Sequence, residues 1–409
     1  MLRFVFITAA LLAQMPAAPQ SRESLPASPP TASLADAAEL AWQRTPAAQA
    51  LPQREAEAGA AARAAAGWTP GPPTLSVSNL NDRLNGRAGR QEWELEIATP
   101  LWLPGQRAAQ QSRTQTQRAL MPAQSAAQRL ALAGQVREAW WQLAATQAGV
   151  RAAARRLDSA QALQADVERR WHAGDLARTD ANAAQAESHT ARLEWMTAQL
   201  ERDNAQAAWR VLTDVAPPET FADEAVANTP ASIDAHPALV AAGAAADAAQ
   251  AQLRLREQSG REAPELALRW VRDRDITGAP YASRIGVQLR IPLSSQPRSL
   301  AEQAGARAEL LEAQTARERL REQLALDAER TQRELESTLR MLALARERAM
   351  LSADTLQLLQ KSFSLGETDL PALLRARADA FSADAELTRQ QLARSAAISR
   401  LNQALGAMP

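Results

Sequence analysis

The sequence predicts a mainly α-helical chain with four short, two-faced β-strands, written as two similar halves. Three observations predict it. Proline and glycine landmarks recur at a nearly constant offset, long runs of strong helix formers carry a heptad of apolar residues, and four short runs alternate apolar with polar side chains.

The chain opens with Arg3, an apolar stretch from Phe4 to Ala13, and small residues through Ala17 and Ala18. A positive start, a short apolar core and a small-residue exit are the pattern of a secretory signal, here residues 1–18. Ten apolar residues are too few for a membrane-spanning helix, which needs about 20. Residues 19–33 are rich in Ser and Pro and read as a linker. No later run reaches the ~18 apolar residues of a transmembrane helix, so a second meeting with a membrane would use strands.

From residue 34 the landmarks repeat. Pro46 and Pro237 open Ala-rich helical segments 191 residues apart, and Pro73 and Pro264 open strand-like runs at the same spacing. Pro100 and Pro292 close the second strand-like runs 192 apart, and Gly174 and Gly366 interrupt long helical segments, also 192 apart. The reading is two homologous repeats, 34–220 and 225–409, each running helix, strand, strand, long helix, turn, helix.

Ala, Arg, Gln, Glu and Leu, all strong helix formers, fill residues 106–171, where Pro122 is the single proline. Apolar side chains step by four and three through Val136, Trp140, Leu143, Val150, Ala154 and Leu157, with Gln147 as the polar entry. That is a coiled-coil seam. In the second half the expected seam runs Leu335, Leu339, Leu342, Ala349, Ala353, Leu356 and Phe363, with Arg346 and Gln360 as polar entries. A helix of some 65 residues is about 100 Å long, a rod that few globular domains need.

The strand-like runs are 74–80, 92–99, 265–272 and 284–291. Trp93, Leu95 and Ile97 share one face and Glu94, Glu96 and Ala98 the other. Leu266, Leu268 and Trp270 alternate with Ala267, Arg269 and Val271, and Ile285, Val287, Leu289 and Ile291 with Gly286, Gln288 and Arg290. Alternation alone also fits an ordinary half-buried sheet. The signal segment, the run lengths and the polar connections 82–90 and 273–283 favour a transmembrane pore wall, apolar outside and polar inside. The lipid-facing set is then Trp93, Leu95, Ile97, Leu266, Leu268, Trp270, Val287 and Leu289. The lumen set is Glu94, Glu96, Arg269, Gln288 and Arg290. Four strands cannot close a barrel, whose smallest bacterial form has about eight, so further copies must complete it. Two or three copies satisfy that arithmetic.

The duplicated halves, the strand pairs and the turns Arg170-Trp171-His172-Ala173-Gly174-Asp175-Leu176 and Ser362-Phe363-Ser364-Leu365-Gly366-Glu367-Thr368 together resemble the TolC-type outer-membrane efflux factors. The segment from Glu92 through Pro100-Leu101-Trp102-Leu103-Pro104-Gly105 is similar to the branch serving metal-cation and related efflux systems. The resemblance covers almost the whole mature chain. It implies a homotrimer in the outer membrane with a twelve-stranded barrel and a periplasmic coiled-coil tunnel. It also implies a periplasmic adaptor and an inner-membrane pump of the RND type as partners, in metal or drug resistance. Gly174, Asp175, Asp180, Gly366, Glu367 and Asp369 would form the tips that meet the adaptor. Asp175 and Glu367 are expected at the start of the following helix, where an acid offsets the helix dipole. Relatives place carboxylates six and nine positions beyond the second glycine, where this chain has Ala372 and Arg375, so Asp369 or Asp180 would have to substitute. Many relatives are lipidated at an N-terminal cysteine, and this chain has none.

Other chemistry is not supported. With 46 basic and 46 acidic residues the net charge is zero, so nothing argues for nucleic acid as the partner. Without cysteine there is no thiolate site or Cys nucleophile. His172, His189 and His236 have no spaced ligand partner for zinc, and no phosphate loop appears. No enzyme activity, cofactor or metal site is expected. The alternatives are a periplasmic adaptor or a coiled-coil scaffold. An adaptor gathers its strands in one compact domain, whereas here they form two separated pairs, and a scaffold needs no alternating strands.

Overall fold

A computed structural model describes residues 33–84, 86, 88–227, 232–293 and 296–409. The expected signal segment and linker lie outside the described residues, apart from Ser33. That residue caps the first helix by accepting a hydrogen bond from the Asp36 backbone N–H at 3.2 Å.

The chain is mainly helical with one small sheet. Helices α1 (Leu34–Gln43) and α2 (Pro46–Ala65) lead into strands β1 (Thr74–Asn81) and β2 (Gln91–Pro100). The 67-residue α3 (Gln106–His172) and the 36-residue α4 (Arg178–Thr213) follow. Then come α5 (Pro237–Gln258), β3 (Glu265–Arg274), β4 (Ala282–Arg290), the 69-residue α6 (Gln296–Ser364) and the 35-residue α7 (Leu370–Ala404). At about 1.5 Å per residue α3 and α6 are each roughly 100 Å long. Helix α3 is unbroken at Pro122. Pro122 and Arg118 are both exposed, so the carbonyl deprived of its helical partner is open to water.

Helix α3 is central, packing on α2, α4, α5 and α7, while α6 packs on α5 and α7. The predicted α3 seam is buried at Val136, Trp140, Leu143 and Leu157 and half-buried at Gln147, Val150 and Ala154. The α6 seam needs correction. The row turned inward is Thr331, Leu335, Thr338, Leu342 and Ala345, continuing through the half-buried Ala349, Ser352, Leu356 and Leu359 to Phe363. Leu339, Arg346, Ala353 and Gln360 are exposed instead. The reason is that Thr338 donates its hydroxyl hydrogen to the Glu334 carbonyl at 2.8 Å. A threonine satisfied by its own helix is buried at little cost, and a search for apolar residues alone misses it.

Midway along the rod, α1, α3, α4 and α7 share an apolar core around Trp140, whose ring lies 5.8 Å from Trp209 and edge-on to Phe221 at 5.3 Å. The segment after α4 is held over this core by an almost fully buried arginine. Arg137, 2 % exposed, contacts Glu224 at 2.8 Å and donates to the Gln403 side chain at 2.6 Å and to the Ala407 carbonyl at 3.0 Å. Asn402 holds the same segment through its hydrogen bonds to Ala225 and Ala227, both 2.9 Å.

His236 caps α5. Its Nδ1 accepts from the Ala238 backbone N–H at 3.2 Å, so the ring is neutral there. Burial lowers its pKa below the ordinary value, and a hydrogen bond to the Gln403 backbone pulls the other way. A base with a lowered folded-state pKa binds fewer protons folded than unfolded, so its contribution is full above the unfolded pKa of about 6.5 and declines as pH falls through it. Denaturant midpoints between neutral and mildly acid pH should therefore fall for the native chain. His236→Asn, which keeps a cap, should flatten that fall.

Candidate pore wall and helical tips

The four strands form one antiparallel sheet in the order β1-β2-β3-β4. All helices attach at its β2-end and β4-end side, while the two hairpin loops lie at the opposite end. Register fixes the faces. On one face Val77 stands beside Leu95, Leu95 beside Trp270, and Trp270 beside Ile285; the next row is Leu75, Ile97, Leu268 and Val287. On the other face Ser76, Glu96, Arg269 and Gly286 form one row, and Thr74, Ala98, Ala267 and Gln288 another.

Exposure runs opposite to that of a water-soluble sheet. The apolar face is open, with Ile285 at 76 % and Val287 at 74 %, whereas Ala98 and Ala267 on the polar face are 7 % and 5 % exposed. The polar face brings its charges into contact. Arg269 binds Glu94, reaches Glu96 at 3.4 Å and donates to Gln288 at 3.5 Å. Arg290 pairs with Glu265 at 2.9 Å and Arg284 with Asp273 at 2.5 Å. The face carries Glu92, Glu94, Glu96, Glu265 and Asp273 against Arg269, Arg284 and Arg290, an excess of negative charge.

The predicted lumen set therefore lies on one face and the predicted lipid-facing set on the other. The strands differ from expectation at their ends. β3 continues through Asp273 and Arg274 and β4 begins at Ala282, because ladder pairing holds charged residues that an apolar alternation excludes. Ile291 falls just beyond β4. Leu75 and Val77 join the apolar face, and the alternation of Leu75, Val77 and Asn79 with serines already carried that signal.

The two helical turns come together at the far end of the rod. Leu163 and Val167 of α3, Ala184 of α4, Phe363 of α6, and Leu370 and Leu373 of α7 form one apolar cluster, with Arg170 over the Phe363 ring at 4.9 Å. Gly174 and Gly366 have φ of +88° and +77°, the left-handed region that favours glycine. Each turn closes by a backbone bond across it, Asp175 N–H to the Arg170 carbonyl at 2.9 Å and Glu367 N–H to the Ser362 carbonyl at 3.0 Å. No atoms lie within 4 Å of a Cβ added at Gly174, so Gly174→Ala should cost about 1–2 kcal/mol through backbone strain alone, read as a shifted unfolding midpoint.

Capping falls on other acids than expected. Helix α4 begins at Arg178 and α7 at Leu370, so Asp175 and Glu367 precede the helices and are exposed. Asp180 instead accepts from the Ala177 N–H and Asp369 from the Ala372 N–H, both at 3.2 Å. The turns after each glycine take three further residues before helical geometry resumes. Three contacts around these sites were not visible in sequence: Arg377 donating to the Ser159 carbonyl at 3.0 Å, Arg156 held between Glu187 and Glu194, and Arg170 on Phe363. A lone arginine on a helix face gives no pattern from which such a partner can be read.

Among the described residues no helix is long and apolar enough to cross a membrane, and no group of three or more His, Cys, Asp or Glu is placed to hold a metal ion. No protein-family model matches the sequence, and no curated protein matches it. Solved structures do match its fold. A membrane protein from Pseudomonas aeruginosa superposes with a TM-score of 0.75 at 18% identity over 92% of this chain and 91% of its own. CusC, described in connection with folding and transmembrane channel formation, gives 0.76 at 16% over 91% and 92%. The Campylobacter jejuni CmeC outer membrane channel gives 0.75 at 14% over 91% and 85%. The chain has the fold of these channels, as its resemblance to TolC-type factors implied.

Proposed function

We propose that this chain is the outer-membrane exit duct of a tripartite efflux or secretion system, a passive conduit for substrate delivered by an inner-membrane RND pump and a periplasmic adaptor. The observation that carries this reading is the sheet: an exposed apolar face backed by an ion-paired polar face, at one end of a rod about 100 Å long. A sheet whose outer solvent is lipid can expose Ile285, Val287, Leu268 and Leu75 together, as this one does.

The same sheet supports assembly. β1 and β4 each pair on one side only, leaving a row of backbone donors and acceptors that hydrocarbon cannot satisfy. Joining β4 of one copy to β1 of the next removes both edges, and three copies give the twelve strands of the resemblance. The helices carry a matching need. Leu344, Leu351, Leu358 and Leu365 recur every seven residues along and just beyond α6 and are exposed in the single chain. Leu193, Met196 and Leu200 form a shorter exposed stripe on α4. Heptad-spaced leucines facing water mark a seam that another copy covers.

In this reading two homologous halves, 34–220 and 225–409, each supply a hairpin and a helical pair. Gly174, Asp175, Asp180, Gly366, Glu367 and Asp369 form the periplasmic tips that meet the adaptor. Particle mass in mild detergent, measured on protein extracted from outer membranes, should be that of a trimer; a monomer in the soluble periplasmic fraction refutes the duct. The acidic excess on the polar face further predicts a cation-preferring pore. Glu94→Gln with Glu96→Gln should move the reversal potential in a salt gradient toward anion preference, by roughly a factor of two in permeability ratio, and unchanged selectivity would place these carboxylates outside the conducting path.

A further inference from the structure

The arginines of the sheet divide by face. Arg269, Arg284 and Arg290 stand on the polar face, and each is paired with a carboxylate. Arg272 and Arg274 stand on the apolar face, at its loop end, and neither forms an ion pair among the described residues. Both stack on Tyr281, with guanidinium carbons 4.7 and 5.1 Å from the ring centroid. Tyr281 is fixed by donating its hydroxyl hydrogen to the Gln91 side chain at 2.8 Å, and Arg274 Nε by donating to the Gly89 carbonyl at 3.2 Å. The register partners of Arg272 are Trp93 and Ser283, and that of Arg274 is Gln91, so the cross-strand partners carry no negative charge. Asp273, between them in the chain, stands on the opposite face and pairs with Arg284, and Asp275 follows in the loop.

We propose that Arg272 and Arg274, aligned on Tyr281, bind the phosphate of a lipid headgroup at the loop-end rim of the sheet. The inference rests on the reading of the apolar face as lipid-facing. A guanidinium keeps its charge, and with no ion pair of their own these two offer an anion charge-assisted hydrogen bonds beside an apolar band. The planar fork of Arg matches phosphate oxygens, and stacking on Tyr281 fixes both planes while leaving N–H edges free. Directly below the pair on the same face lie Trp93, Leu95, Trp270 and Ile285. A ligand that places its phosphate on the arginines therefore lays its acyl chains along that band. This order, charge above and apolar surface beneath, selects an amphipathic anion over a free one.

The test uses the purified, detergent-solubilised protein. It is titrated with phosphatidic acid, with the diacylglycerol of the same chains lacking the phosphate, and with inorganic phosphate. The native chain should bind phosphatidic acid roughly tenfold or more tighter than diacylglycerol. Arg272→Gln with Arg274→Gln should erase that difference. The double exchange to Lys, which keeps charge but loses the fork, should restore only part of it. Equal binding of the two lipids by the native chain, a comparison that needs no variant, overturns the proposal. So does a Gln variant that discriminates as the native chain does, or inorganic phosphate bound as tightly as the lipid. Recovery of the protein outside the outer membrane overturns the duct reading instead, whatever the lipid result.

Discussion

Arg137→Ala is expected to destabilise the folded chain by about 3–5 kcal/mol, the range for breaking a buried ion pair by removing one partner. Arg137 is 2 % exposed and Glu224 12 %, so the carboxylate left behind has little water to replace its partner. The loss extends further. Arg137 also satisfies the Gln403 side chain and the Ala407 carbonyl, so one substitution unties both the segment after α4 and the C-terminal end from α3. Urea unfolding followed by helical circular dichroism measures the effect. Arg137→Met with Glu224→Leu should cost much less, because removing both charges leaves no stranded carboxylate. Equal losses in the single and double variants would show that packing volume, not charge, decides the site.

That cluster also marks the boundary of what was legible. Period and alternation are local properties, and they carried the helices, the α3 seam and the two faces of the sheet. Arg137 belongs to the α3 face next to Trp140 and Trp141, but as a charged residue among seam positions it reads as solvated. Its burial depends on Glu224, 87 residues away, and on Gln403, 266 away. The same limit applied to Thr338 in α6, where a hydroxyl satisfied by its own helix took a core position that apolar counting gave to Leu339. It applied again at the tips, where the acids nearest the glycines were expected to cap and Asp180 and Asp369 do so instead. Where the turn ends is set by backbone geometry after the positive-φ residue, which composition does not specify. The stacking of Arg272 and Arg274 on Tyr281 required the register of β3 against β2 and β4, and register is the first thing that a single strand's sequence leaves open.

Cross-linking the tips is expected to abolish conduction. Both turns rest on one apolar cluster, Leu163 and Val167 from one helical pair with Phe363, Leu370 and Leu373 from the other. If these turns form the mouth of the proposed duct, widening it would require sliding the pairs past each other, and a covalent tie across them would stop it. Asp175 and Asp369 are exposed, one on each turn, and the chain has no cysteine, so Asp175→Cys with Asp369→Cys introduces the only thiols. Asp369 caps α7, and its loss should cost about 1 kcal/mol, which the reduced double variant controls for. In planar bilayers the tied protein should remain at its closed-level current under conditions that open the reduced form, and reductant should restore opening. Equal conductance of the tied and reduced forms, with the link confirmed by mass, places the moving part elsewhere.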